Sequence, residues 1–269
     1  MRLLHKGKAI IMSPKWKHAK IAKFSFANLK AIIRNEIPAA IINNFATLEE
    51  SNKFSSAVLN MKAKEYQFGK PGFYLGNPLT HYRDLPKEEY FEAVAAAENE
   101  RKEVIKYAFD PIARFMQIIS QQTEFNISIA EEPDGTQYFA GIIRIIAGGS
   151  DLHVDYAPTF ARGNLSVGDI SAQLAWNYYP SVPTKGGETV IYNRPFEFSG
   201  IEKTYSAYDR KLLDGCESLS FKPNIGSVVI FNTSNPHIVL PSAAGSKGHR
   251  IATGSFIGLL GDHNLVLWS

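Results

Sequence analysis

Three side chains of metal-binding type are spaced so that they could meet at one ion. His153 and Asp155 are separated by a single residue in the stretch H-V-D, and a second histidine, His237, follows much later in S-N-P-H-I-V. On an extended backbone, residues two apart point to the same side. Two histidines and one carboxylate on one face of an ion form a facial triad with open positions, an arrangement that suits Fe(II). The spacing therefore predicts a mononuclear iron site.

A fourth candidate is a cation, Arg250, which lies beyond His237 and past the glycine-rich turn G-S-K-G. A hairpin of this size predicts that Arg250 lies on the next antiparallel strand, beside the metal site and pointing into the fold. A guanidinium in that place is suited to a bidentate grip on a carboxylate. The pattern thus predicts an acid bound next to the ion.

The elements that must position these residues are short strands. From residue 126 onwards, runs rich in β-forming residues alternate with turn sequences such as Pro-Asp-Gly and Gly-Gly, and no helical pattern interrupts them. Such a succession is typical of a jelly roll or a barrel. The predicted strands are 126–130, 137–146, 171–179, 189–192, 218–221, 227–231, 237–240, 250–260 and 264–268.

The first half of the chain has a helical pattern. A capping box at Thr47–Glu50 predicts a helix that runs to about residue 60. Asp84 with Pro86 predicts the start of a second helix through Tyr107, and Asp110 with Pro111 predicts a third. Residues 66–86 are rich in glycine, proline and aromatic residues and are interpreted as a long loop, with a substrate lid as one reading.

These elements predict one domain over residues 1–269, mainly β with helices. Its parts would be a basic N-terminal arm (1–35), helical support with the lid loop (36–125) and a β core (126–269). The arm holds nine lysines and arginines and no acidic residue. It is interpreted as a solvated tail, with a transit peptide or a nucleic-acid contact as open alternatives. No nucleic-acid partner is expected.

Composition limits the class of protein. Hydrophobic residues make up 45% of the chain, enough for a sizeable core. The single cysteine, Cys216, excludes an internal disulfide framework and a cysteine-rich zinc site. No run of about 18 apolar residues is present, so no membrane span is expected. The cytoplasm is the predicted location, and the oligomeric state is left open.

Over roughly residues 137–260 the chain resembles the Fe(II)/2-oxoglutarate-dependent oxygenases of the double-stranded β-helix (jelly-roll, cupin-like) fold. The matching features are the H-V-D triplet, Gly-Gly-Glu-Thr at 186–189, Gly-Ser-Val-Val-Ile-Phe at 226–231, His237 and Arg250. The resemblance implies that His153, Asp155 and His237 bind Fe(II). It also implies 2-oxoglutarate and O2 as cosubstrates, with Arg250 holding the far carboxylate of 2-oxoglutarate.

One departure concerns the partner of Arg250. Many members of the superfamily have Arg-x-Ser, whereas this chain has Ala252 at the serine position. Thr253 and Ser255 are expected on the opposite strand face unless a bulge intervenes. A helper for Arg250 must then come from elsewhere, and the candidates are Thr189, Asn177 and Tyr178.

The resemblance extends to small-molecule hydroxylases and to carrier-independent halogenases. The halogenases replace the ligating aspartate by glycine or alanine, whereas this chain keeps Asp155. This favours hydroxylation of an unactivated C–H bond, with an amino acid or its derivative as the first substrate class and an alkaloid or nucleotide behind it. Desaturation or epoxidation would use the same site. The rival classes are a cupin-like ligand-binding protein and another metalloenzyme, such as a zinc or manganese isomerase.

Four further residues are candidates for contact with substrate. Arg144 lies on an otherwise apolar strand and must find a partner if it is buried. Arg162 follows the H-V-D triplet and could meet an anionic substrate at the mouth of the site, although a solvated charge is the alternative. Tyr82 and Arg83 belong to the 66–86 loop and would contact substrate if that loop is a lid rather than a segment packed on the helices.

Overall fold

The computed structural model describes residues 10–11, 16–66, 72–197 and 210–269. The helices are α1 Phe26–Ile33, α2 Leu48–Leu59, α3 Lys87–Ile105, α4 Pro111–Gln122 and the short α5 Pro158–Ala161. The strands are β1 Ile10–Ile11, β2 Ala22–Lys23, β3 Ala39–Ile42, β4 Lys64–Glu65, β5 Gly72–Leu75, β6 Asn126–Ile129, β7 Ile142–Ile146, β8 Ala172–Ser181, β9 Thr189–Tyr192, β10 Phe196–Glu197, β11 Ser218–Phe221, β12 Val228–Asn232, β13 His237–Val239, β14 Ile251–Leu260 and β15 Asn264–Trp268.

Two sheets form the β core. The large sheet has the order β2-β3-β12-β8-β14-β7-β5-β4, with β15 paired to β14 and β6 paired to β15. The small sheet has the order β11-β9-β13. Residues from both sheets line one cavity, so the sheets face each other across it. This arrangement is the predicted mainly β architecture, the double-stranded β-helix with helical support.

The helices cover the other face of the large sheet. Phe115 of α4 stacks on Trp176 of β8, with ring centroids 4.2 Å apart and ring planes 3° from parallel. Tyr178 of β8 packs against Phe45 and Phe54, at centroid distances of 5.3 and 5.7 Å. Aromatic rings bury large apolar areas, so this layer supplies much of the stabilisation of the fold.

The predicted helix starts are confirmed. The Thr47 hydroxyl accepts a hydrogen bond from the Glu50 amide, and the Glu50 carboxylate accepts one from the Thr47 amide. α3 begins directly after Pro86. Asp110 caps α4 by accepting from the amides of Ile112 and Ala113, with Pro111 at the first helical position. These local signals satisfy orphan amide groups within one turn, which is why sequence alone reveals them.

The interpretation of residues 1–35 as a solvated tail is wrong for the described part from residue 16 onwards. Here α1 buries Leu29 and Ile32 in the core, and β2 pairs with β3. Trp16 is also buried, and its indole donates to Asn35. Residues 1–9 and 12–15 lie outside the described residues. The charge count concealed the fold because the basic side chains of an amphipathic segment stay in water while its apolar ones pack.

The 66–86 segment is not wholly a loop. Its described part contains β5, which pairs with β7 and widens the large sheet, and a 3-10 turn over Leu79–Tyr82. The predicted strand 137–146 is shorter than expected, because regular pairing begins only at Ile142. β3 was not predicted, because its sequence Ala-Ala-Ile-Ile is a short apolar run without the polar alternation that marks a half-buried strand.

β13 and β14 are not hairpin partners, contrary to the prediction from the spacing of His237 and Arg250. β13 pairs with β9 in the small sheet, whereas β14 pairs with β7, β8 and β15 in the large one. The glycine-rich segment between them therefore crosses from one sheet to the other. Within the described ranges, no helix is both long enough and apolar enough to span a bilayer.

Candidate active site

The H-V-D triplet is attached to the small sheet by its backbone. The His153 amide donates to the His237 carbonyl at 3.0 Å, and the His237 amide donates to the His153 carbonyl at 2.8 Å. Two residues on, the Asp155 amide donates to the Thr233 carbonyl at 3.0 Å. This antiparallel bridge brings the two histidine rings to a centroid distance of 4.3 Å, although they are far apart in sequence.

The three side chains converge as the spacing predicts. The Asp155 Oδ2 atom lies 3.6 Å from Nε2 of His153 and 3.3 Å from Nε2 of His237. One ligand atom from each residue falls within 4.8 Å of the others, and no other such group of three occurs in the described part of the chain. Two nitrogens and one oxygen at this separation can occupy one face of a single ion.

The second nitrogen of each ring fixes which atom is free for a metal. Nδ1 of His153 lies 2.6 Å from the Asp151 carbonyl, and Nδ1 of His237 lies 3.0 Å from the Asn235 carbonyl. Because a carbonyl only accepts, Nδ1 must carry the proton in both rings, which leaves the Nε2 lone pairs directed at Asp155. The donor set therefore fits Fe(II).

The protonation states also suit a cation. Burial lowers the pKa of His153, and the neighbouring His237 lowers it further, so this imidazole is neutral at pH 7. Burial alone would raise the pKa of Asp155, but its contacts with His153 and His237 and the positive charge of Arg144 lower that pKa to about 2. A neutral imidazole and an ionised carboxylate are the forms that bind metal.

Asn235, whose backbone carbonyl orients His237, is held through its side chain by Asn35 of the N-terminal segment. Asn35 and Asn235 exchange side-chain amide hydrogen bonds of 3.2 and 2.7 Å. Asn35 has a positive φ of 58° and is buried, and its Oδ1 also accepts from the Trp16 indole. The chain of contacts from Trp16 to His237 links the edge of the fold to the triad.

Arg250 is a buried cation on the wall of the same cavity. Its Nε donates to the Gly187 carbonyl at 3.1 Å, and its Nη2 donates to Thr189 Oγ1 at 3.2 Å. Gly187 has a φ of 78°, and a Cβ there would press on Pro183, so only glycine can offer the carbonyl from this turn. No carboxylate in the described ranges pairs with Arg250. A buried guanidinium without a counter-charge fits an acid cosubstrate such as 2-oxoglutarate.

The cavity that joins these groups has a volume of about 230 Å³. Besides the triad and Arg250, its polar lining includes Arg144, Asn177 and Tyr179 of the large sheet. Its apolar wall consists of Ile142, Ile146, Ala175, Phe231, Val239, Ala252 and Phe256.

The candidates for the partner of Arg250 differ in whether their side chains face the cavity. Thr189 contacts Arg250 directly, and Asn177 lines the cavity. Tyr178 points the other way, into the helix-covered core, where its hydroxyl lies 2.9 Å from Ser51 Oγ. Its selection was an error, since successive residues of a strand point to opposite faces. The same alternation identifies the residue that was missed, Tyr179, whose ring lies 5.4 Å from the Arg250 guanidinium carbon.

Of the four substrate candidates, only Arg144 lines the cavity. Arg162 is exposed at the end of α5. Tyr82 packs edge-on against Tyr90 at 5.5 Å, and the Arg83 guanidinium lies over the Phe160 ring at 4.8 Å. None of these last three side chains, Arg162, Tyr82 and Arg83, lines the cavity. Among the described residues of 66–86, those that reach the cavity are Tyr66, Pro78, Thr80 and His81, not the predicted Tyr82 and Arg83.

Comparison with known proteins agrees with this geometry. The profile of the carrier-protein-independent halogenase WelO5 family matches residues 18–269. Leucinostatins biosynthesis cluster protein S of Purpureocillium lilacinum is 33% identical over 198 residues, covering 68% of this chain and 80% of that protein. The L-gamma-glutamyl-L-propargylglycine hydroxylase of Streptantibioticus cattleyicolor is 29% identical over 136 residues, covering 50% of each chain.

The fold has a counterpart among solved structures. An N-substituted L-amino acid dioxygenase from Burkholderia ambifaria superposes with a TM-score of 0.64 at 12% identity, covering 90% of this chain and 91% of that one. This likeness concerns the fold, the double-stranded β-helix. Together with the triad and the unpaired Arg250, the family match shows that the chain belongs to the carrier-protein-independent halogenase WelO5 family and is a non-haem Fe(II)/2-oxoglutarate-dependent dioxygenase.

Proposed function

We propose that this enzyme hydroxylates an unactivated C–H bond of an amino acid or an amino-acid derivative. The observation that carries the proposal is Asp155, whose ionised carboxylate faces both histidine Nε2 atoms. A family named for halogenation contains this chain, yet a carboxylate occupies the position that a halogenase leaves open for chloride. Hydroxylation therefore suits the three-ligand site better than chlorination does.

The roles proposed for the residues follow from their surroundings. His153, Asp155 and His237 would hold Fe(II), with the Asp151 and Asn235 carbonyls fixing the two rings. Arg250 would hold the far carboxylate of 2-oxoglutarate, oriented by Gly187 and Thr189. Bound Fe(II) would supply the activation of O2 that couples decarboxylation of 2-oxoglutarate to oxidation of the substrate. The apolar part of the cavity wall would limit the access of water to that step.

The names of two relatives support the substrate class. One relative is the hydroxylase of L-gamma-glutamyl-L-propargylglycine noted above, and another is an L-isoleucine 3(1)-dioxygenase of Pantoea ananatis, 27% identical over 134 residues. The matches span 50% and 43% of those two proteins. Both act on an amino acid or a derivative of one, and a carboxylate substrate suits the positively charged cavity.

Three further points remain proposals. Residues 1–269 would form a single domain, because the helices and the large sheet share one hydrophobic cluster. The partner would be a small molecule rather than a nucleic acid, because the polar groups converge in a cavity of about 230 Å³. The cytoplasm would be the location, because a chain with one cysteine needs no oxidising compartment for internal disulfides.

The test combines a binding measurement with product analysis. Under anaerobic conditions, Fe(II) and 2-oxoglutarate together should give the weak visible charge-transfer band of their chelate. With O2, chloride and a panel of amino-acid derivatives, at least one should raise succinate formation and gain one oxygen atom. A product in which chlorine replaces hydrogen would contradict hydroxylation, and an absent chelate band would contradict the oxygenase site itself.

A further inference from the structure

Arg144 is a second cation of the cavity, and the triad and Arg250 do not use it. It lies on β7 opposite Ala252 of β14 on one side and Tyr74 of β5 on the other. Its guanidinium lines the cavity beside the Tyr66 hydroxyl, a neutral hydrogen-bonding partner. In the part of the chain that the structure describes, no carboxylate forms an ion pair with Arg144. A half-buried guanidinium that faces a cavity without a counter-charge is built to receive an anion.

The surface beside Arg144 leaves room for that anion. Ala252 and then Gly254 of β14 separate Arg144 from Asn177 on β8, and Gly254 pairs with Asn177. A Cβ at Gly254 would overlap the Trp176 carbonyl oxygen, so the position stays without a side chain. Neighbouring strands lie about 4.8 Å apart, which puts the strands of Arg144 and Asn177 about 10 Å apart. A carboxylate over this small-residue floor can be reached from both.

Asn177 has hydrogen-bonding capacity to spare. Its side chain lines the cavity, and none of the described residues makes a hydrogen bond to its amide group. An asparagine carries one acceptor and two donors. The amide can therefore donate to a carboxylate oxygen that Arg144 holds, or to a neighbouring amide carbonyl of the same ligand.

The charges of the cavity also decide what the substrate nitrogen can be. Among the described residues that line it, the cations are Arg144 and Arg250, and the one carboxylate is the triad residue Asp155. His81 adds no further positive charge at neutral pH, since burial lowers its pKa. With Asp155 engaged by the metal and Arg250 by the cosubstrate, a free ammonium group would find no carboxylate partner on the wall and would face the Arg144 guanidinium, which is unfavourable in a partly desolvated site.

We infer that the substrate presents a carboxylate to Arg144 and Asn177 and carries no charged amine, so that its class is the N-acylated amino acids rather than the free ones. This inference rests on the proposed function and narrows its substrate class. The acyl group would replace the ammonium charge by a neutral amide, which suits the unpaired Asn177 side chain. Arg250 remains free for the cosubstrate, so the two arginines divide two acids between them.

The experiment measures binding without turnover, using the complete protein with Fe(II) and 2-oxoglutarate under anaerobic conditions. The probes are matched triplets built on L-leucine, L-isoleucine and L-phenylalanine: the N-acetyl acid, the free amino acid and the N-acetyl amide. In calorimetric titration, at least one N-acetyl acid should bind roughly tenfold or more tighter than both of its relatives. Equal or tighter binding of the free amino acid or of the amide would overturn the inference. So would a lack of binding by every N-acetyl acid.

Variants assign the effect to Arg144. Arg144→Gln should weaken binding of the N-acetyl acid roughly 10- to 100-fold and remove its advantage over the amide, with Arg144→Lys in between. The affinity for 2-oxoglutarate should stay within about twofold. Arg162→Gln, which changes an exposed arginine outside the cavity, is the matched control and should bind like the parent. An equal loss of 2-oxoglutarate and N-acetyl acid in Arg144→Gln would overturn the assignment.

The two proposals fail separately. Selective binding of the N-acetyl acid with no oxygen transfer to any probe would leave the carboxylate site standing and count against hydroxylation. Oxygen transfer to a free amino acid would leave hydroxylation standing and overturn the N-acylated substrate class. Undiminished binding in Arg144→Gln would leave hydroxylation standing and overturn the carboxylate site at Arg144.

Discussion

The two faces of β8 are different environments within one strand. Trp176 and Tyr178 point to the helices, where rings pack on rings in a dry layer. Asn177 and Tyr179 point to the cavity, beside the buried Arg250 and the triad. Because successive residues of a strand point to opposite faces, one face of β8 serves the stability of the fold and the other lines the binding site. Changes on one face should therefore affect unfolding, and changes on the other should affect binding.

The largest effect is expected from a change on the face of β8 that packs against the helices. Phe115→Ala removes the ring stacked on Trp176 and should lower the free energy of unfolding by about 3–5 kcal/mol. The protein that remains folded should still bind Fe(II) and 2-oxoglutarate normally. Denaturant unfolding and calorimetric titration at low temperature measure the two quantities. Phe73→Ala, at a ring that is 45% exposed, is the control and should cost less than about 0.5 kcal/mol. A weaker 2-oxoglutarate affinity in folded Phe115→Ala would contradict the separation.

Next in size is a change on the cavity face. Arg250→Ala removes the buried guanidinium and should weaken 2-oxoglutarate binding by about 3 kcal/mol or more, over 100-fold. Fe(II) affinity should survive, because neither histidine nor Asp155 contacts Arg250 through a hydrogen bond. Separate titrations with metal and cosubstrate distinguish the two. If both affinities fell together, Arg250 would be a structural residue.

A smaller effect is expected from the chain of amides behind His237. Asn35→Gly keeps the positive φ but removes the side chain that holds Asn235. Fe(II) affinity should fall about tenfold, because outer contacts orient metal-binding rings. Competition with a chelator of known affinity measures this. Asn44→Gly, which also replaces an asparagine of positive φ, serves as the control. Equal metal affinity in the two variants would show that the N-terminal segment does not support the metal site.

The smallest effects are expected from removing one tyrosine hydroxyl on each face of β8. Tyr178→Phe loses the contact with Ser51 and should cost about 1 kcal/mol of stability without changing 2-oxoglutarate affinity. Tyr179→Phe loses the hydroxyl beside Thr189 and Arg250 and should weaken 2-oxoglutarate binding severalfold with little change in stability. Thermal unfolding measures the stability of both variants, and titration measures their affinity for 2-oxoglutarate. Identical behaviour of the two variants would mean that the faces are not independent.

His153, Asp155, His237 and Arg250 converge on one cavity, as predicted. The side shared by His153 and Asp155 follows from their two-residue spacing, whereas Arg250 reaches the cavity without the hairpin that was expected to place it there. The helix caps at Thr47 and Asp110 were also predicted from the sequence, since their hydrogen bonds close within one turn.

What the sequence reading missed depends on contacts between distant segments. Tyr66 and His81 reach the cavity only because β5 joins the large sheet, a pairing that no motif marks. The transfer of the chain between sheets after β13 was likewise invisible, because glycine-rich turns serve hairpins and crossings alike. The choice between Tyr178 and Tyr179 could have been made, since Asn177 and Tyr178 cannot both face one cavity.

The backbone bridge between His153 and His237 has a consequence for folding. An ion held by residues on both sides of that bridge would tie together two segments that are remote in the chain, and so would reduce the freedom of the unfolded state as a cross-link does. The single cysteine means that no internal disulfide does this work. Iron supply would then set the lifetime of the protein as well as its activity, because ligand binding to the native state withdraws molecules from unfolding.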